Sequence, residues 1–153
     1  MKALELKIPP PVYALISGAS MWWLNKALPI AQFIDSPWNK AGIAIIVFSI
    51  ILDTSSLYLF IKKSTTTNPM KPSNTQGLVT AGLYKYTRNP MYVGLLTILF
   101  GYAIWLGSVT PFLVLPLFYW LITNMQIKPE ERTLEAKFGQ EYRDYKNKVR
   151  RWL

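Results

Sequence analysis

Four apolar segments, roughly residues 12–33, 41–61, 91–106 and 112–127, dominate a chain of 153 residues. The second matches the roughly 20 residues needed to cross a hydrocarbon core about 30 Å thick. Asn25, Lys26 and Pro29 interrupt the first, and the last two are short for complete spans. Only Gly107-Ser108-Val109-Thr110-Pro111, which carries no charge, separates those two. They therefore read as a helical hairpin, with Pro116 a candidate kink. Periodicity alone does not distinguish a buried soluble helix from a membrane span, but four such segments in one short chain favour the bilayer. The expected fold is a single domain over residues 1–153, an all-α integral membrane protein with four transmembrane helices, the last two a hairpin. A polar loop at 62–90 and a C-terminal amphipathic helix within 128–153 complete it.

Charge placement carries the topology. Charged residues make up 16% of the chain, against about 25% in soluble domains. The net charge of +9 suits either nucleic acid or an anionic membrane surface. Four crossings would put the N-terminus, the 62–90 loop and the tail on one face. That face then holds every Lys and Arg except Lys26 and Lys40. The positive-inside rule makes it cytoplasmic, with both termini there, so no nucleic-acid partner is needed to explain the charge. Lys2 and Lys7 before an apolar stretch suggest a secretory signal. Glu5, Pro9-Pro10-Pro11 and Trp22-Trp23 argue instead for a retained anchor.

The chain has no cysteine and no histidine. Thiolate nucleophiles, imidazole bases and the commonest metal ligands are therefore absent, and no metal site is expected. The 62–90 loop is long for a compact domain, which points to function or disorder. It opens with Ser64-Thr65-Thr66-Thr67, Pro69 and Pro72, a flexible composition, before Leu78-Val79-Thr80 turns extended, Gly82 marks a turn and residues 83–87 suggest a helical turn. From Pro129 onward, Leu134, Phe138, Tyr142, Tyr145 and Val149 form an apolar stripe at helical spacing. That stripe must lie on the membrane surface or on the loop.

Several polar groups have both a structural and a functional reading. Asn89-Pro90 opens the third span as an N-cap followed by proline at the first helical position. The same helix end offers backbone N–H groups to an anion. Pro129-Glu130-Glu131 is an ordinary helix start, or a carboxylate pair for a cationic ligand. Asp53 lies within the second span, where a carboxylate faces a cavity or a partner, or else stays protonated and hydrogen-bonded to a neighbouring helix. Gly94 and Gly101 share one helix face and suggest close packing. Tyr84, Tyr86, Tyr92, Tyr142 and Tyr145 form an interfacial belt, or in part a surface for a sulfonium or an adenine.

The run from Leu78 through Tyr84-Lys85-Tyr86-Thr87-Arg88-Asn89-Pro90-Met91-Tyr92-Val93-Gly94 resembles the isoprenylcysteine carboxyl methyltransferase family. So do Pro129-Glu130-Glu131, Leu134-Glu135, Phe138-Gly139, Glu141-Tyr142 and the ending from Tyr145 to Trp152. Phospholipid N-methyltransferases share the Asn-Pro-Met-Tyr run and the paired glutamates. The resemblance covers roughly residues 76–153. It implies S-adenosylmethionine as methyl donor, held between loop and tail at the membrane face. It also implies a lipophilic small molecule or lipidated cysteine as acceptor, entering from the membrane lipids between helices. On that resemblance Leu78, Val79, Thr80 and Gly82 cradle the donor. Tyr84, Asn89, Pro90 and Tyr92 line its pocket, and Glu130 and Glu131 recognise it, Glu131 above all. Arg88 and a tail arginine, Arg150 or Arg151, would handle an anionic acceptor. Many relatives carry His where Asn89 stands, which bears on the acceptor rather than the donor.

Such chemistry suits this composition. Methyl transfer from a sulfonium is an in-line displacement that needs no metal and no covalent enzyme intermediate. Orientation alone supplies up to roughly 7–11 kcal/mol of barrier lowering. A carboxylate or thiolate acceptor would be held as its anion by Arg88 or Arg150, whereas an amine would need a base, with Asp53 or a glutamate the choices. Membrane sterol and ene reductases, which use NADPH and have somewhat similar C-terminal halves, and a non-catalytic membrane scaffold are the alternatives.

Overall fold

The computed structural model describes residues 5–63 and 77–153. Among them the fold is all-helical, with two isolated β-bridges and no strand. The stretch from Ser64 to Pro72, read above as flexible, lies outside the described residues. Helix α1 spans Pro10–Ala27, α2 Ala41–Lys63 and α3 Pro90–Leu106. A helical path then runs unbroken over Thr110–Phe138. It comprises a 3-10 turn (Thr110–Leu113), α4 (Val114–Ile122), a π segment (Thr123–Ile127) and α5 (Lys128–Phe138). Helix α6, Gln140–Lys148, follows.

Two of these stretches, Trp38–Leu59 and Thr110–Phe138, are long and apolar enough to cross a membrane, and Pro90–Leu106 is apolar but shorter. Their surfaces agree with a lipid solvent. Ile43, Val47, Phe48, Ile50 and Ile51 on α2, and Leu117, Tyr119 and Trp120 on α4, are exposed. A contiguous apolar face of that size is not left to water.

Helix α3 is the hub. Its Tyr92, Leu99 and Ala103 pack with Met21 of α1 and with Val114, Phe118 and Ile122 of α4 in one buried cluster. Its other side meets α2 backbone to backbone. A Cβ on Gly42 would sit 2.2 Å from the Gly101 carbonyl oxygen, and one on Gly101 would sit 2.7 Å from the Gly42 oxygen. Small residues allow that approach in a bilayer, where apolar burial does not drive helices together. Gly101 therefore packs as its spacing predicts. Gly94 does so too, against the Asp53 side chain, whose Oδ1 a Cβ there would meet at 1.7 Å. Ser49 Oγ donates to the Gly94 carbonyl at 2.9 Å.

Three expectations need correction. The first apolar segment stops being helical at Ala27 rather than reaching residue 33. Residues 28–34 instead fold over the hairpin turn. Phe33 and Ile34 N–H donate to the Gly107 carbonyl at 3.0 and 3.1 Å, and Thr110 Oγ1 donates to the Leu28 carbonyl at 2.5 Å. Pro29 cannot continue the helical ladder, and these non-local bonds satisfy the backbone it leaves open. Second, Pro129 does not start a helix. It lies one residue into α5, on a path continuing from α4, and the π segment Thr123–Ile127 immediately before it widens the ladder that a proline ring would otherwise clash with. Third, the tail is two helices. Gly139, at φ 52°, breaks it between α5 and α6, and Val149 is already extended.

Candidate functional site

One end of the bundle gathers the elements expected to form a site. Residues 5–8 reach it through Leu6 N–H, which donates to the Met125 carbonyl at 3.1 Å, and through Gln126 Nε2, which donates to the Ile8 carbonyl at 2.6 Å. The loop segment and the tail meet there as well. Thr87 and Arg150 form a parallel bridge, and Arg88 N–H donates to the Arg150 carbonyl at 2.9 Å. Tyr145 of α6 donates its hydroxyl proton to the Tyr84 carbonyl at 2.7 Å. The apolar stripe of the tail therefore lies on the loop. Tyr142 and Tyr145 are both buried.

Glu131 is the centre of charge. Arg88 donates to its Oε1 through Nη2 at 2.6 Å and Nε at 3.2 Å, and Arg151 donates to Oε2 through Nη2 at 2.7 Å. The side chains of Glu131 and Arg88 are 7% and 8% exposed. Both carboxylate oxygens are thus taken by guanidinium groups. Arg88 is equally committed, because its Nη1 donates to the carbonyls of Lys146 at 3.0 Å and Val149 at 2.5 Å. Four of its five donors go to the protein, leaving little for an acceptor anion. Arg150 is exposed. Of the two tail arginines it is Arg151, whose side chain is 34% exposed, that turns toward the carboxylate.

The remaining residues fall around this triad. Asn89 occupies the N-cap position of α3 without making a side-chain cap. Its Nδ2 donates instead to the Arg151 carbonyl at 2.9 Å, joining Thr87 Oγ1, which reaches the same carbonyl at 3.2 Å. Pro90 takes the first turn of α3 and is buried. Tyr92 donates to Glu130 Oε1 at 2.6 Å, so the two glutamates differ, Glu131 held by arginines and Glu130 by a phenol. Burial first, and then the neighbouring Tyr145, Glu130 and Asp53, push the Tyr84 hydroxyl well above its ordinary pKa. Asp53 is thereby placed near the same cluster, at the α2–α3 contact. Burial also pushes Tyr145 up to about 12, so it stays a proton donor at any physiological pH.

Between loop and tail lies a cleft of about 460 Å³, lined by Leu78, Thr80, Lys85, Glu141, Asp144, Tyr145, Lys148 and Val149. Its size is that of a small-molecule site. Of the expected donor-binding residues, Leu78 and Thr80 line it, Val79 is buried behind them, and Gly82, at φ 62°, opens the 3-10 turn Gly82–Lys85. Glu130 and Glu131 do not line it. Lys85, Glu141, Asp144 and Lys148 were missed, although positions 141, 144, 145 and 148 repeat at helical spacing and mark one face of α6. Two apolar grooves lie elsewhere on the bundle surface. One of about 690 Å³ lies between α1, α2 and α3, and one of about 330 Å³ lies between α3 and α4.

Residues 38–141, more than half the chain, match the model of the phospholipid methyltransferase family. The chain belongs to that family. Its matched region runs from the start of α2 to the start of α6 and so includes the loop, α3 and the paired glutamates. Individual relatives extend the likeness. An uncharacterized protein of Haemophilus influenzae is 51% identical over 63 residues, which cover 41% of this chain and all of that protein. The protein-S-isoprenylcysteine O-methyltransferase of Schizosaccharomyces pombe is 38% identical over 72 residues, 47% of this chain. That of Mus musculus is 30% identical over 113 residues, 73% of this chain. The alignments span only 30% and 40% of those two enzymes.

Proposed function

We propose that this chain is a membrane methyltransferase that transfers a methyl group from S-adenosylmethionine to a lipophilic acceptor at the cytoplasmic interface. The observation that carries the reading is the meeting of the 78–89 segment with α6 and residues 149–152 around a polar cleft. Family membership supports the reaction type, and the names of the yeast and mouse relatives support a lipidated acceptor.

The cleft's residues fit such a donor. Glu141 and Asp144 offer acceptors to an ammonium or to ribose hydroxyls, Lys85 and Lys148 offer cations to a carboxylate, and Leu78, Tyr145 and Val149 offer apolar surface to a base. When bound, S-adenosylmethionine supplies a methyl group already activated by its sulfonium. The chain's own contribution is to orient, exclude water and place charge. Arg151, only partly engaged by Glu131, is the cation best placed to hold an anionic acceptor, a role that Arg88 and Arg150 are poorly placed to fill. For an amine acceptor, Glu130 and Asp53 are the carboxylates near the Tyr84–Tyr92 cluster.

In the same reading α1 and α3 cross the bilayer as well as α2 and α4, with both termini, the loop and the tail cytoplasmic. At about 1.5 Å per residue, the 18 residues of α1 and 17 of α3 span about 27 and 25 Å, short of a full core by an amount that local thinning absorbs. The absence of cysteine makes the test clean. A single cysteine replacing Lys40 is expected to react with an impermeant maleimide from outside intact cells, and one replacing Gln140 only after permeabilisation. Labelling of both from the same side would contradict four crossings.

The function itself is tested by incubating the purified full chain in nanodiscs with methyl-labelled S-adenosylmethionine and a panel of acceptors containing an S-prenylated cysteine, an aminophospholipid and a free prenyl thiol. Label is expected in the organic extract with one of these classes. No transfer to any of them would remove the proposal.

A further inference from the structure

Helix α2 carries one carboxylate within its apolar run, that of Asp53. It lies against Gly94 of α3, with both oxygens within 2.1 Å of where a Cβ on residue 94 would stand. Gly94 is one turn into α3 from the end that meets the loop. The neighbouring serines on α2 are buried and satisfied. Ser49 Oγ donates to the Gly94 carbonyl and Ser56 Oγ to the Leu52 carbonyl. Asp53 differs. It is half-buried, and among the described residues no hydrogen bond or ion pair holds it. Ile50 and Leu57, one turn before and one turn after it, are exposed. The carboxylate thus stands on the edge between the α2–α3 contact and the lipid-facing surface of α2. An ionised side chain at such a depth is costly unless it faces a cavity or a partner.

We propose that Asp53 is a specificity-determining residue, which lies beside the head group of the lipophilic acceptor and turns away acceptors that arrive as anions, in favour of an amine. The assignment rests on the methyltransferase reading above. Its second support is the charge around the neighbouring turn. The turn Gly82–Lys85 packs on α2, where a Cβ on Gly82 would meet the Leu59 side chain, and it holds Tyr84 buried. The groups whose charge acts at the Tyr84 hydroxyl are Tyr145, Glu130 and Asp53, all of them acidic. An acceptor carboxylate brought there would meet two like charges in a weakly screening site, whereas an ammonium would be attracted by both. Of the two acceptor chemistries left open above, the amine is therefore the one that this end of α2 accommodates.

The test uses the full chain in nanodiscs of zwitterionic lipid, as wild type and as Asp53→Asn, which keeps the shape of the side chain and removes its charge. Binding of a prenyl amine and of a prenyl carboxylic acid of equal chain length is measured by calorimetry against empty nanodiscs. Methyl transfer to each from labelled S-adenosylmethionine follows. The wild type is expected to bind the amine more tightly than the acid. Asp53→Asn is expected to lower that amine-to-acid ratio at least about tenfold, while the affinity for S-adenosylmethionine relative to its demethylated product stays within about twofold of wild type. An unchanged amine-to-acid ratio, with or without a lower melting temperature, would make Asp53 a packing group of the α2–α3 contact and overturn the assignment. A loss confined to S-adenosylmethionine relative to its product would place the carboxylate at the sulfonium and overturn it as well. A wild type that prefers the acid, or that binds neither probe, would also remove it. If the binding ratio shifts as expected but no label reaches either probe, the methyltransferase reading alone fails. Asp53→Ser, which also removes the charge, gives the same comparison should Asp53→Asn not fold.

Discussion

Arg88→Met is expected to destabilise the protein by about 3–5 kcal/mol, the range found when one partner of a buried ion pair is removed. Three losses combine. Glu131 keeps only Arg151, which is partly exposed. The Lys146 and Val149 carbonyls lose their donor where α6 ends. The loop also loses the side chain that ties it to α5, although Arg88 N–H still donates to Arg150. Thermal unfolding in detergent, followed by circular dichroism, measures the effect. Arg150→Met is the control, since that side chain is exposed, and it is expected to stay within about 0.5 kcal/mol of wild type. Equal melting of the two variants would remove the distinction drawn between these arginines.

Gly42→Val should disrupt the membrane-embedded half of the molecule to a similar or greater degree. The added Cβ would lie 2.2 Å from the Gly101 carbonyl oxygen and 2.7 Å from the Trp105 nitrogen, and both are backbone atoms of α3 that cannot rotate aside. Helices α2 and α3 would have to separate along their longest contact, which overpacking data place at about 1–3 kcal/mol or more. Gly18→Ala provides the contrast. Its Cβ would meet only the Leu99 Cδ2 at 3.9 Å, an ordinary contact, and the helix gains propensity. The expected result is a large drop in detergent stability for Gly42→Val and none for Gly18→Ala. A tolerated valine would contradict the backbone contact.

How much of this was legible in the chain depends on the range of the interaction responsible. Helices α2 and α3 follow from local information, an uninterrupted apolar run and an Asn-Pro entry, and both were anticipated within a few residues. The end of α1 was not, because Pro29 sets only where a helix is disfavoured, and the bonds that accept the chain there come from Gly107 and Thr110, about 80 positions away. The apolar stripe from Leu134 to Val149 was read correctly as a surface seeking a partner. Its continuity across Gly139 concealed the break, since a glycine turn does not disturb side-chain spacing on either flank. The Arg88–Glu131–Arg151 triad joins residues 43 and 20 positions apart, a pairing no local pattern announces. The pairing also explains why the arginine expected at position 150 gives way to its neighbour. Arg150 is placed by a main-chain bridge and Arg151 by a carboxylate, and a shift of one residue in extended chain turns a side chain to the opposite face.

The central claim is that the cap formed by residues 78–89 and the tail binds a sulfonium methyl donor. Titration calorimetry of the purified full chain in nanodiscs, with S-adenosylmethionine, its demethylated product and NADPH injected separately, tests it most directly. Saturable one-to-one binding of the first two, and none of NADPH, is the predicted result. Binding of NADPH alone, or of none of the three, would contradict it.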